Sequence, residues 1–265
     1  MVTIFSLIFQ SPEYADWIWE SVHKNTPEIA AGKAEFVIML NNPTEEVWDH
    51  IRKRGYNWAL HTSDPDITED DLVEMGYGGP AYLHSVYGAY NLCLELSKTP
   101  YTVLLNSDMY PAPGWLPGLM KYAKPDTIVT SALVEPRRQG NIFRNFITRD
   151  QVHAFNGGYG LKDFNSKQFE EFASLISKPG TQDLISYQPI MIHKEVTDVL
   201  GLYYPEGNVL SNSLYSGSKI RMWNGRWIEY GDMYFIRKAR EAGIKCIQSN
   251  ESIVYHFDNG ERLNK

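Results

Sequence analysis

The sequence predicts an α/β domain, a mainly parallel sheet covered by helices on both faces, and three observations carry that expectation. Short apolar runs rich in β-branched and aromatic residues recur at Val2 to Phe9, Ala34 to Leu40, Tyr101 to Leu105 and Thr127 to Leu133. Stretches with helix start and stop residues separate the first of these runs, as in repeated β-loop-α units, whose strands pair in parallel. The chain of 265 residues, 43% apolar and 22% charged, is long enough to bury one large core.

Each element has a local reason. Ser11-Pro12 supplies an N-cap and a first-turn proline after the first strand, and a helix is expected to about His23. Asn41-Asn42-Pro43 breaks the second strand, and Thr44 to Arg54 reads as a helix closed by Gly55. A short strand follows at Asn57 to Leu60, then an acidic segment, DPDITEDDLVEMGYGGP, whose charge and closing glycines suit an exposed loop or short helix. Helix resumes from Ala81 to Ser97, Pro100 stops it, and the Tyr101 to Leu105 strand leads to a further helix near Leu116 to Tyr122. Arg137 to Gly180 has no sustained period and is expected to be an irregular cover. Tyr187 to His193 reads as a strand entering a short helix, and Tyr203 to Arg226 as a turn-rich loop. Asp232 to Ala242 is an amphipathic helix closed by Gly243, Lys245 to Ser249 a short strand, and Ile253 to Tyr255 leads to His256. One domain is expected, with residues 1–135 and 136–265 as its two halves.

Composition excludes several classes. A formal charge of −7 argues against a protein held on nucleic acid by phosphate contacts. Cys93 and Cys246 show no paired spacing, so neither a disulfide framework nor a zinc site is expected, and a reducing compartment fits. VTIFSLIFQ is too short and lacks the basic flank of a signal peptide, and no apolar run approaches the ~20 residues of a membrane span. The expectation is a cytoplasmic protein without an integral membrane segment.

The segment LLNSDMYPAPGW places Asp108 just past the Tyr101 to Leu105 strand. Ligands of open α/β sheets gather at the carboxyl ends of strands, where a hard carboxylate oxygen can hold Mg²⁺ or Mn²⁺ while substrate phosphates complete the shell. The alternative is a turn-forming aspartate ahead of a proline-rich stretch.

A resemblance covers most of the chain. VTIFSLIFQSPEY and EFVIMLNNPTEE resemble the first two strand–helix units of family 2 glycosyltransferases, and AYNLCLELSKTPYTVLLNSD is similar to their ARN-x-G-x5-A-x-G-x-Y-x4-D-x-D segment, with Ala89, Asn91, Tyr101 and Asp108 in step. Pro111 and Trp115-Leu116 resemble the residues that follow, and GDMYFIRKAREAG resembles the ED-x-D-L-x-x-R-x5-G helix, with Asp232 as its second acid; YHFD stands where a histidine commonly closes the site. The resemblance implies the GT-A (nucleotide-diphospho-sugar transferase) fold and an inverting, metal-dependent transfer from a nucleotide-sugar donor to an acceptor hydroxyl on a glycan or glycoconjugate. The departures are specific. Asn106 replaces the first acid of the DxD motif, Asn41 the aspartate that reads the base, Tyr90 the arginine of ARN, Gly231 the glutamate and Tyr234 the later acid. Arg226-Trp227 precedes Asp232, so the processive QxxRW signature is missing and a divergent, non-processive member is implied.

Roles follow on these terms. Asp108 is the expected metal ligand for Mn²⁺ or Mg²⁺, and Phe9, Asn41, Asn91, Ser107 and Asp108 are expected around the donor. Asp232 is the expected catalytic base, or the N-cap of its helix, or both, with Glu229 in reserve. His256 is a second metal ligand or a packed histidine. Phe9 stacks on the base or belongs to the core, and Arg137-Arg138 contacts phosphate or is an exposed basic pair. Trp223, Trp227 and Tyr230 pack on an acceptor sugar or on the core. A domain that binds glycan or nucleotide without turnover is the rival class. A sugar-phosphate nucleotidyltransferase would need a glycine-rich loop after the first strand, and FQSPEY has none.

Overall fold

The structure is a computed structural model that describes residues 1–63, 80–136, 153–184, 186–200, 209–211, 222–223, 226–229 and 231–257, the backbone alone at 80–83, 209–211, 222–223 and 226–228. The elements in chain order are β1 (Val2–Ile8), α1 (Pro12–Asn25), α2 (Pro27–Ala30), β2 (Ala34–Asn41), α3 (Glu45–Arg54), β3 (Trp58–His61), α4 (Pro80–Leu96), β4 (Tyr101–Asn106), β5 (Met109–Pro111), α5 (Trp115–Met120) and β6 (Thr127–Glu135). They continue with β7 (His153–Ala154), α6 (Ser166–Ile176), β8 (Thr181–Asp183), β9 (Ile190–His193), α7 (Lys194–Leu200), β10 (Val209–Ser211), β11 (Met222–Trp223), β12 (Arg226–Glu229), α8 (Gly231–Glu241) and β13 (Lys245–His256).

The main sheet runs β3-β2-β1-β4-β9-β6-β13-β5, with β7 on β6 and β8 on β13. β3, β2, β1 and β4 are parallel neighbours, and β6 is parallel to β13. β9 runs antiparallel between β4 and β6. The strands from β1 onward advance to one side through β2 and β3, while β4 lies on the other side of β1, so the order reverses at the β1–β4 seam.

Alternation builds the two faces. Ile4, Ile8, Ile38, Leu40, Val103 and Leu105 point into one core with Ile18 and Val22 of α1 and Trp115 of α5. Phe5, Val37, Met39 and Leu104 point into the other, against Tyr87, Tyr90 and Cys93 of α4 and Phe235 and Ile236 of α8. A strand buried on both faces needs apolar residues at consecutive positions, as these strands have. The helix ends follow the sequence: Ser11 Oγ accepts from the Tyr14 N–H, Thr44 Oγ1 accepts from the Val47 N–H, and Gly55 closes α3 in the left-handed region at φ 68°. Cys93 and Cys246 are both free and buried. Among the described residues no helix is long and apolar enough to cross a membrane.

Two expectations are corrected. The stretch expected to be irregular contains α6, whose Phe169 and Ala173 are buried and whose N-cap Asn165 accepts from the Gln168 N–H. Its helical spacing was diluted by the glycine- and aromatic-rich residues before it. α6 is held by an aromatic cluster that also contains Tyr110, Phe164, Tyr255 and Phe257. The two short tail strands are one strand, β13, with a register shift between Ser249 and Ile253 that keeps both ends paired to β6. The acidic segment up to residue 79 and Arg137-Arg138 lie outside the described residues.

α5 sits on that irregularity at Gly118. Its carbonyl accepts from Ser249 Oγ at 2.8 Å, and a Cβ there would stand 2.7 Å from the Glu251 carbonyl carbon. Gly118→Ala is therefore expected to destabilise the protein by about 1–3 kcal/mol, because the obstacle is backbone rather than a movable side chain. A lowered urea midpoint at an unchanged slope would show it.

Candidate active site

Register gathers the site. Val2 faces both Ala34 and Tyr101, and Leu7 faces both Met39 and Asn106, so β1, β2 and β4 start and finish level. Phe9, Asn41 and the Asn106-Ser107-Asp108 turn therefore lie along one sheet edge, at the seam where strand order reverses. That is the place where open α/β sheets bind ligands. Asn91 follows Tyr90 in α4.

Tyr90 and Asn106 stand at two positions where the family resemblance would put an arginine and an acid. The structure joins them: the Tyr90 hydroxyl donates to Asn106 Oδ1 at 2.5 Å. The two departures are one exchange, a neutral hydrogen bond at the end of β4.

Asp108 occupies the turn between β4 and β5, and its carbonyl accepts from the Phe257 N–H at 2.9 Å. β5 pairs antiparallel with β13, His256 opposite Met109, which sets the imidazole beside the carboxylate. His256 Nε2 lies 3.3 Å from Asp108 Oδ2, and Nδ1 lies 2.9 Å from Glu135 Oε1 at the end of β6. Burial opposes a charge on this imidazole, but the Asp108 and Glu135 carboxylates outweigh it and push His256 up to about 10. With Nδ1–H donated to Glu135, Nε2 and Asp108 Oδ2 face each other as two acceptors that need a cation between them, a proton or a metal ion. Those donors, one carboxylate and one imidazole with a carboxylate behind it, are chemically suited to a divalent cation such as Mn²⁺ or Mg²⁺. Among the described residues no group of three or more His, Cys, Asp or Glu could hold a metal alone.

Asp232 lies in the first turn of α8. Its Oδ1 accepts from the Met233 N–H at 2.7 Å, and its own N–H donates to the Tyr87 hydroxyl of α4 at 3.2 Å. Burial raises the carboxyl, the backbone hydrogen bonds lower it less, and the result is about 6. Tyr187, before β9, is pushed up to about 12 by burial and then by the Asp232 charge. Tyr87, Tyr187 and Glu135 were missed in the sequence. Tyr87 had a signal, since it lies one helical turn before Asn91 on α4.

Glu229 is not a spare base. Its two oxygens accept from Arg237 Nε and Nη2 at 2.8 and 2.9 Å, and Arg237 also reaches Glu241 at 2.6 Å. This bidentate pair anchors β12 to α8 just before Asp232. Trp223 and Trp227 lie on β11 and β12 of a small antiparallel sheet with β10. Their side chains, and Tyr230, lie outside the described residues.

The fold is GT-A. The chain matches no protein-family model and no curated protein sequence. Solved structures of the same fold include GalNAc-T7 with UDP, GalNAc and Mn²⁺, at TM-score 0.55 and 12% identity over 97% of this chain and 43% of that one. Another is S. aureus TarS 1–349, at TM-score 0.52 and 13% identity over 97% and 60%. A third is the mannosyltransferase PcManGT from Pyrobaculum calidifontis in complex with GDP-Man and Mn²⁺, at TM-score 0.55 and 12% identity over 99% and 58%. This chain spans between 43% and 60% of their lengths.

Arg237→Met would leave Glu229, only 4% exposed, without its cation. A loss of about 3–5 kcal/mol in a denaturant titration is expected, and adding Glu229→Gln to the same chain should recover part of it.

Proposed function

We propose that the protein is a non-processive, inverting, metal-dependent glycosyltransferase that moves a sugar from a nucleotide-sugar donor to an acceptor hydroxyl of a glycan or glycoconjugate. The observation that carries this reading is the Asp108–His256–Glu135 line at the reversal of strand order, with Asp232 as a carboxylate whose pKa is tuned toward neutrality. The bound nucleotides, the mannose donor and the Mn²⁺ of GalNAc-T7 and PcManGT support it.

Asp108 and His256 Nε2 would hold a Mn²⁺ or Mg²⁺ ion, and Glu135 keeps Nδ1 protonated so that the Nε2 lone pair is left for the metal. Bound there, such an ion would supply positive charge against the charge that develops on a departing diphosphate. Asp232 takes the acceptor hydroxyl's proton as that oxygen attacks the anomeric carbon. A carboxyl near 6 suits the task better than an ordinary aspartate, being ionised at neutral pH yet more basic. Residues 1–135 form the donor half and 136–265 the acceptor half, where Trp223, Trp227 and Tyr230 are proposed to pack on the acceptor sugar.

A domain that binds nucleotide or glycan without turnover is the second reading, favoured by the neutral Tyr90–Asn106 pair. Nucleotide release from UDP-, GDP-, CMP- and dTDP-sugars with Mn²⁺, Mg²⁺ or EDTA separates the two. Metal-dependent release from one donor, lost in Asp108→Ala and Asp232→Asn, supports the transferase. Turnover that survives EDTA and Asp108→Ala overturns the metal role.

The pH profile tests the base. Asp232 acts when deprotonated, so kcat/KM should be level above pH ~7 and fall about tenfold per pH unit well below its pKa of about 6. Asp232→Asn should leave a low rate without that limb.

A further inference from the structure

The main sheet ends at β3, which pairs with β2 on one side and, among the described residues, with no strand on the other. Exposed edge strands usually carry a charged residue or a proline that blocks further pairing. This one, Trp58-Ala59-Leu60-His61, has neither. The Asn57 and His61 carbonyls accept from the Ile38 and Asn42 N–H groups on the β2 side at 2.9 and 3.0 Å. Trp58 and Leu60 stand at the alternate positions, so their N–H and C=O groups turn to the open side. Their side chains share one face of the strand and are 39% and 41% exposed.

α3 flanks that face, with the Trp48 ring 4.7 Å from the Trp58 ring at an interplanar angle of 65°. Val47 and Ile51 are buried, and His50 and Arg54 turn to Asp16 of α1, which leaves Glu45, Trp48 and Arg52 along the side of the helix nearest β3. Glu45 and Arg52 are exposed, and among the described residues neither has a side-chain partner. Acid, tryptophan and base therefore form a stripe with the tryptophan near its middle. Such a stripe is complementary to a copy of itself turned end for end.

We propose that a second copy of this chain pairs edge to edge with β3 about a two-fold axis through Ala59, so that one sheet continues across a dimer. Trp58 then stands opposite Leu60 of the second copy, and Leu60 opposite its Trp58. Antiparallel strands alternate hydrogen-bonded with unbonded pairs. Here both outer pairs consist of residues whose backbone groups are open, each pair exchanging both its N–H···O bonds, while Ala59 meets Ala59 in the unbonded position between them. The same axis lays α3 antiparallel to its copy, with Glu45 beside the second copy's Arg52, Arg52 beside its Glu45, and the tryptophans of both copies between. An unrelated extended peptide would satisfy the backbone but not this stripe, so the charges favour a second copy. Because the axis reverses strand direction, the two Asp108 turns open at opposite ends of the dimer.

Sedimentation velocity over a concentration series tests it. The wild type is expected to reach twice the mass of one chain. Glu45→Arg sets arginine against arginine on both sides of the axis and should raise the dissociation constant of the dimer about tenfold or more. Adding Arg52→Glu to the same chain rebuilds both pairs with the charges exchanged and should restore the dimer. Ala59→Cys gives a separate readout. An unbonded antiparallel pair holds its Cα atoms about 4.5 Å apart, within disulfide reach, and Cys93 and Cys246 are buried, so mild oxidation should link two copies through the new thiol. A single-chain mass at every concentration overturns the proposal, as when another part of the same chain or a strand of another protein occupies the edge. A dimer that Glu45→Arg does not weaken overturns it as well, since the contact then lies elsewhere. If the double variant does not recover, oxidation of Ala59→Cys decides: linked copies support the strand pairing, and their absence overturns it.

Discussion

The site depends on the register of three parallel strands. β1, β2 and β4 are paired with no offset, so three turns that are far apart in sequence open at one level. A slip of one residue in any of them would exchange its two faces and send Ile, Val and Leu side chains into the wrong core. The packing that holds the domain together is therefore the same packing that aligns Phe9, Asn41 and Asp108. Neither can be changed without the other.

β13 completes the arrangement from the far end of the chain. Its first residues pair with β6 and β8, and its last three with β5, so one strand connects the sheet's far side to the Asp108 turn. The register shift lets the strand bend around α5 before it delivers His256. Behind that histidine, Glu135 comes from the end of β6, and Tyr255 and Phe257 pack the strand end into the aromatic cluster.

Much of this could be read from the residues alone. The β-branched runs, the caps at Ser11 and Thr44, Gly55, and the two acids Asp108 and Asp232 all have local signatures, and the structure places each in the expected element. What could not be read is pairing across distance. Tyr90 and Asn106 look like two separate losses until they are seen bonded to each other. Glu135 has no local mark at all, being 121 residues from His256. Glu229 was misjudged because its spacing from Asp232 was visible and its bidentate partner was not. α6 escaped because Phe169, Phe172, Ala173 and Ile176 keep helical spacing inside a stretch whose composition suggests loop.

Asn41 and Asn106 also change what an approaching ligand feels before it touches the protein. The chain carries a formal charge of −7, and an anion nearing the seam meets a net repulsive field within a screening distance of about 8–10 Å. Two carboxylates at these positions would deepen that repulsion where field lines concentrate; two amides do not. Added salt therefore bears mainly on the remote surface charge and little on the uncharged amides at the seam.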